Sequence, residues 1–341
     1  MAEASRPHPR PALVAVAGDN DCASADPRYR EAVRLGRALV DAGYHVLTGG
    51  GGGIMEAVAY GALAALHGGP GTTLGILPGG DPKDANPYVD LVIPTGMGLA
   101  RNAIVAHAPA VIGVGGRAGT LSELALAWQL GRLVVGFRTD GWSGRLAGEP
   151  VDDRVRIPSA NDDRVFEAAD SDEVVRILAR HYETYAGRPP PRRPPVLYGP
   201  QPYEALDHTA DAGIEVEGDT AENCMARLIL AFGAFAAGPA ESLAPLVERR
   251  TVICEGPDRA FLAVAVLSEV ADRIRSGRVP VAAAVEELSE SATCVRVGFV
   301  PRPEASDEAG IAAEIKAVTH HGARFEAVAP DRYVARIVVD V

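Results

Sequence analysis

Residues 187–201 read GRPPPRRPPVLYGPQ, with six prolines in fifteen positions. Each proline removes a backbone donor and locks φ, so neither a helix nor a central strand runs through this stretch. Such a run favours extended, semi-rigid polyproline geometry. It divides the 341-residue chain, whose length alone suggests two domains. The expected division is an N-terminal domain over 1–186, a linker over 187–201 and a C-terminal domain over 202–341. Apolar residues make up 47% of the chain, enough for each half to bury a core.

Several function classes are disfavoured by composition. No run approaches the roughly 18 apolar residues of a membrane span. The start, MAEASRPHPRPA, has arginines with no apolar stretch behind them, which predicts no secretory signal. Cys22, Cys224, Cys254 and Cys294 are dispersed and match no zinc spacing, so free thiols in a reducing cytoplasm are expected. Residues 202–341 carry 13 Lys and Arg against 23 Asp and Glu, which accounts for −10 of the net charge of −12. An acidic half lacks the clustered cations that grip a phosphate backbone. No direct nucleic-acid contact is expected of it; a protein partner or a cation fits better. Lys83 and Lys316 are the only lysines.

The first half alternates apolar runs with helical periodicity. Strands are predicted at 13–18, 45–49, 73–79, 91–96, 110–116 and 133–137. Asp26-Pro27 reads as an N-cap with proline at the first helical position, and helices are predicted near 54–66, 97–108, 120–130 and 171–185. Strands separated by single helices imply a Rossmann-like, doubly wound parallel sheet. In the second half, strands are predicted near 213–217, 250–255, 293–300, 312–319, 323–328 and 332–341, with helices near 220–236 and 257–276. That order implies an α+β domain.

Two glycine-rich turns follow strands in the first half. GGGGGIMEA (49–57) opens a helix, as does VGGRAGTLSE (114–123). Glycine lets backbone amides approach an anion, and a helix N-terminus offers unpaired N–H groups. Neither turn is a Walker A loop. Two such turns at strand C-termini converge on one crevice in this fold, where ligands sit. Thr120-x-x-Glu123 also reads as a capping box, a role that leaves a functional one open. Arg101 lies near a helix start on the same edge, placed to clamp a phosphate.

GGGGGIM, Met97-x-x-x-Arg101 and the Gly119-Thr120-x-x-Glu123 turn resemble the LOG (lysine-decarboxylase-like) family over roughly residues 12–140. Its well-studied members are phosphoribohydrolases that release a base from nucleoside 5′-monophosphates. The resemblance implies Arg101 and Glu123 as the catalytic pair, Gly119 and Thr120 on the phosphate, and Gly50, Gly51, Gly53 and Gly116 around the ligand. A carboxylate beside a phosphate cradle can steady an oxocarbenium-like ribose or activate water. The hydrolases have Arg-Lys where this chain has Arg101-Asn102, and Pro-Gly-Gly-x-Gly-Thr where it has Gly115-Gly116-Arg117-Ala118-Gly119-Thr120. The chain is more similar to a branch that includes molybdenum-cofactor carrier proteins. That implies binding of a nucleotide or pterin phosphate ahead of hydrolysis, and a homodimer by analogy.

The stretch YEALDHTADAGIEV (203–216) gathers Asp207, His208, Thr209 and Asp211 before a strand-like alternation. The sequence closes on RYVARIVVDV, where Asp340 and a free carboxylate on Val341 put two anionic groups on an apolar strand. Burial of such a pair calls for a cation or hydrogen-bond donors. Asp211 could add a third oxygen. Hard oxygen donors suit Ca²⁺ first, then Mg²⁺ or Mn²⁺. LDHTADAGIEVEG, EIKAVTHHGARFE and the terminal DV together resemble archease over 203–341.

Archease is a protein cofactor of the RtcB-type RNA ligase, promoting its guanylylation and multiple turnover in tRNA splicing and RNA repair. The resemblance implies metal ligands Asp211, Asp340 and Val341, and the ligase as partner. His208 is read as orienting its loop, and Lys316 as a cation at the partner surface or the metal. His320 stands where the family often has an aromatic. The helix RAFLAVAVLSEVADRI (259–274) lacks the family's usual tryptophan and asparagine. The expected function is an archease-type ligase activator fused to a phosphate-ligand domain, with a nucleoside-monophosphate phosphoribohydrolase or a cofactor carrier as alternatives.

Overall fold

The computed structural model describes residues 11–160, 162–207, 212–303 and 315–340. It divides into two compact units, 1–193 and 194–341.

In the first unit, β1 (Ala12–Gly18), β2 (Tyr44–Thr48), β3 (Thr73–Leu77), β4 (Leu91–Pro94), β5 (Ala110–Val114), β6 (Leu133–Phe137) and β7 (Phe166–Ala168) form one sheet in the order β4-β3-β2-β1-β5-β6-β7. Every pairing is parallel. The helices are α1 (Pro27–Asp41), α2 (Ile54–Leu63), α3 (Asn102–Ala106), α4 (Ala118–Gln129), α5 (Trp142–Leu146) and α6 (Ser171–Ala186). Helices α1, α2 and α6 share one face, and α3, α4 and α5 the other. The central strands β5 and β6 are buried at every position, which is why they read as unbroken apolar runs. Asp26 caps α1 by accepting from the Arg28 amide at 2.8 Å, with Pro27 next in line, as the sequence predicts. The sequence reading did not include α5 or β7; both are short, and neither carries a long enough period to be seen.

The chain runs outward from β1 to β4, then returns to β5 on the other side of β1. The reversal opens a crevice at the C-terminal ends of β1 and β5. Both glycine-rich turns border it.

In the second unit, β8 (Leu197–Tyr198), β9 (Glu204–Asp207), β10 (Ala212–Gly218), α7 (Ala221–Ala237), β11 (Glu248–Glu255), α8 (Arg259–Arg275), β12 (Arg278–Leu288), β13 (Ala292–Pro301), β14 (Ala317–Ala329) and β15 (Arg332–Asp340) follow in order. Two antiparallel sheets result, β14-β15-β10-β9 and β11-β13-β12-β8. Helix α7 is apolar nearly all round and shares one core with α8 and both sheets, where Leu228, Phe232, Leu267, Val297 and Ile337 are almost wholly buried.

Three features differ from the sequence reading. The strand β12 was not part of the sequence reading; Pro280 and three alanines give it a weak strand signal. Pro280 is accommodated at a register shift, the bulge where a proline costs no ladder bond. The expected strands 312–319 and 323–328 are, from Ala317 onward, one strand bent by a register shift between Thr319 and Arg324. Within the proline-rich segment, Leu197 and Tyr198 pair with Ala283 and Ala282 of β12, and Arg188 donates to the Pro11 carbonyl at 2.9 Å.

Candidate functional site

Arg101 approaches the crevice from the turn between β4 and α3. Its Nη1 donates to Glu123 Oε1 at 2.7 Å. The two side chains are only 14% and 8% exposed. A Cβ on Gly49 would lie 2.5 Å from the Arg101 guanidinium, so a residue without a side chain is what lets the cation rest on the end of β2. One glycine-rich turn, the β4–α3 segment and helix α4 therefore meet at a single ion pair.

The capping-box expectation for Thr120 and Glu123 is not met. Helix α4 starts at Ala118, its N-cap is Arg117, and no side chain caps it. Thr120 is thus inside the first turn, and Glu123 points to Arg101 instead of reaching back. Burial pushes the Glu123 carboxyl up, while the charge and hydrogen bond of Arg101 pull it down.

The glycine-rich turns play two different parts. In the first, most of the backbone polar groups are already engaged. The Gly50 amide donates to Thr48 Oγ1 at 3.1 Å, the Gly52 amide to Asn20 Oδ1 at 3.1 Å and the Ile54 amide to the Asp19 carbonyl at 2.9 Å. Asn86 Nδ2 donates to the Gly50 and Gly51 carbonyls at 3.2 and 2.8 Å. Gly53 precedes α2 as its N-cap. This turn is a braced wall.

In the second turn, the Gly116 amide donates to Asp19 Oδ2 at 3.1 Å. Gly116 has φ +95°, and a Cβ there would meet Thr120 at 2.3 Å, so only glycine fits. The amides of Ala118, Gly119 and Thr120 begin α4 and have no intrahelical acceptor. The space over Gly119 is open for 4 Å around a Cβ position. An anion can sit here, at the positive end of a three-turn helix, with Arg101 and Glu123 one turn deeper. Sequence reasoning missed Asp19, Asn20, Thr48 and Asn86, which hold both turns. Their only signal was a place in or beside the strand ends.

In the second unit, Ala212 stands opposite Val339, and Ala317 opposite Asp340. The Lys316 amide donates to the Asp340 carbonyl at 2.8 Å. The start of β10, Lys316 and the end of β15 thus gather at one end of one sheet. Asp340 is exposed there. His208, Thr209, Asp211 and Val341 lie outside the described residues. Among the described residues, no group of three or more His, Cys, Asp or Glu side chains could hold a metal ion. His320 stacks on Phe261 of α8 with ring centroids 4.8 Å apart. His321 is exposed.

Residues 11–175 match the SLOG cluster4 family, and residues 203–341 match the Archease protein family. The chain joins a SLOG cluster4 domain to an archease domain. An uncharacterized protein of Archaeoglobus fulgidus is 39% identical over 127 residues, 37% of this chain and 79% of that protein. Among solved structures, the molybdenum cofactor binding protein of Rippkaea orientalis is 29% identical, covering 50% of this chain and 96% of that one, with a TM-score of 0.40. A Thermotoga maritima archease, described as a possible chaperone, is 18% identical, covering 40% of this chain and 96% of that one, with a TM-score of 0.28. The crevice at Arg101 belongs to the SLOG domain. The β10 and β15 ends belong to the archease domain. Among the described residues, no helix is long and apolar enough to cross a membrane.

Proposed function

We propose that this chain is an archease-type activator of an RtcB-type RNA ligase, carrying a SLOG domain that binds a small phosphorylated ligand. The observation that carries the first part is the archease match across 203–341, with Lys316 and Asp340 side by side at one sheet end. Asp211 precedes Ala212 and Val341 follows Asp340 in the sequence. Asp211, Asp340 and the Val341 carboxylate would hold the divalent metal. Their donors are hard oxygens, which fit Ca²⁺, Mg²⁺ or Mn²⁺ and not a soft-ligand metal. When bound, the metal supplies positive charge at the partner surface, near the ligase's guanylylation site. The chain's own part is to present Asp340 at the end of β15, an inner strand of its sheet.

The test is ligase turnover with and without the full chain. Turnover rises with the wild type and falls back by more than tenfold in effect with Asp340→Ala. No stimulation, or equal stimulation by Asp340→Ala, overturns the proposal.

For the SLOG domain, the Arg101–Glu123 pair and the uncapped start of α4 support binding of a nucleoside monophosphate or a pterin phosphate. The phosphate takes the Ala118–Thr120 amides; Arg101 stabilises negative charge beside it. A second reading, phosphoribohydrolase, is favoured by the burial of Glu123. A desolvated carboxylate one turn below a phosphate is suited to activating water or steadying a cationic ribose. Base release from nucleoside 5′-monophosphates that disappears in Glu123→Gln, with ligand binding retained, selects the hydrolase. Tight binding with no release selects the carrier.

A further inference from the structure

The lip of the SLOG crevice carries charged side chains that neither reading uses. Arg117 is the residue immediately before α4, and its side chain is 78% exposed. Its Nη1 lies 3.1 Å from Asp21 Oδ2, and its Nε 3.9 Å from Asp19 Oδ1. The two aspartates are not equivalent. Asp19 is 11% exposed, and its Oδ2 accepts from Arg28 Nη1 at 2.8 Å as well as from Gly116. It is built into the frame. Asp21 is 61% exposed and meets Arg117 at the surface. Asn20, between them, braces Gly52 of the other turn. The Asp19–Asp21 loop therefore spans the crevice from one glycine-rich turn to the other.

This places two carboxylates beside the open end of α4. Asp19 is already paired with Arg28, so the charge left to repel an entering anion is that of Asp21, and Arg117, beside the first turn of α4, is the exposed cation paired with it. An ion pair between two exposed side chains is held weakly. A guanidinium on a phosphate makes charge-assisted, often paired hydrogen bonds and is held more strongly. Exchange of Asp21 for a phosphate would trade a weak exposed pair for a charge-assisted one, on a side chain that is already exposed.

We infer that Arg117 selects the ligand by charge: its guanidinium leaves Asp21 and closes on the ligand's phosphate. This rests on the proposed reading of the crevice as a phosphate site. What it adds is the charge state: the phosphate is preferred as its dianion. A neutral, dephosphorylated counterpart gives Arg117 no reason to move and leaves it paired with Asp21.

The chain provides a selective reporter. Its two tryptophans, Trp128 and Trp142, both lie in the SLOG domain, and the Trp142 amide donates to the Gly116 carbonyl at 3.0 Å. Inorganic phosphate is titrated into the full chain, with chloride as the ionic-strength control, and half-saturation is read from tryptophan-detected melting. Arg117→Ala raises the half-saturating phosphate concentration about tenfold, the size of one charge-assisted bond. Asp21→Asn lowers it about threefold, and Arg117→Lys recovers part of the loss. For wild type, half-saturation is lower at pH 7.5 than at pH 5.5, where phosphate is mostly monoanionic. A half-saturation unmoved by Arg117→Ala, or weakened by Asp21→Asn, overturns the inference while the crevice reading stands. A lower melting temperature without phosphate and an unchanged half-saturation would make Arg117 merely structural, and also overturns it. A wild type that phosphate does not stabilise removes the crevice reading, and this inference with it.

Discussion

Glu123 is the buried carboxylate of the SLOG crevice, paired with Arg101. Its carboxyl is pushed up by burial and pulled down by Arg101, so removing the arginine leaves only the desolvation. In Arg101→Met the folded-state pKa rises further above that of the unfolded chain. Above that raised pKa the native state holds an unpaired buried charge, costing about 3 kcal/mol. As pH falls through it, the native state takes up a proton that the unfolded chain does not, and the deficit shrinks. Urea denaturation of Arg101→Met at pH 8 and pH 5, followed by tryptophan fluorescence, should show the larger loss at pH 8. The capping-box pattern at Thr120 and Glu123 was legible as residue types. Spacing alone did not give the partner of Glu123; the family resemblance paired it with Arg101, 22 residues away, and the fold brings the two within 2.7 Å.

At the scale of elements, the α4 turn depends on one backbone conformation. Gly116 at φ +95°, against Thr120, admits no side chain. Gly116→Ala should cost about 1–3 kcal/mol in tryptophan-detected unfolding, and it should weaken phosphate binding as α4 shifts. The second unit offers a different case in β8. Its two residues pair with β12 at Ala282 and Ala283. A fragment starting at Pro194 keeps this pairing, and one starting at Pro202 loses it. Circular dichroism melting should find the shorter fragment less stable by roughly 3 °C, equivalent to about 1 kcal/mol. Proline density hid β8: the run was legible as a break in the chain, while the strand hydrogen bonds around Leu197 depend on β12, some 85 residues on.

For the whole molecule, each unit has its own core, so unfolding should not be a single event. Tryptophan fluorescence reports the SLOG domain alone, whereas far-ultraviolet circular dichroism sees both. The two urea midpoints should differ, and coincident curves would mean that the domains unfold together. The edge strand β4 and the turn after it expose Leu91, Ile93, Met97 and Leu99, the last at 84%. The homodimer that the family resemblance implies would bury apolar surface of this kind. Leu99→Asp should then shift light-scattering mass from two chains to one; an unchanged mass would move the interface elsewhere.

What the amino-acid sequence determined by itself was local and periodic. Apolar runs between helices specified the parallel sheet, Asp26-Pro27 the start of α1, and the separated motifs the two families. What the tertiary structure alone decided were close contacts between distant residues: the guanidinium of Arg101 resting on Gly49, Asp19 tying Gly116, Pro280 tolerated at a bulge in a buried strand. The reason is physical. Hydrophobic periodicity and backbone preference act within a few residues, whereas ion pairs and close backbone approaches form only after chain crossovers bring remote segments together.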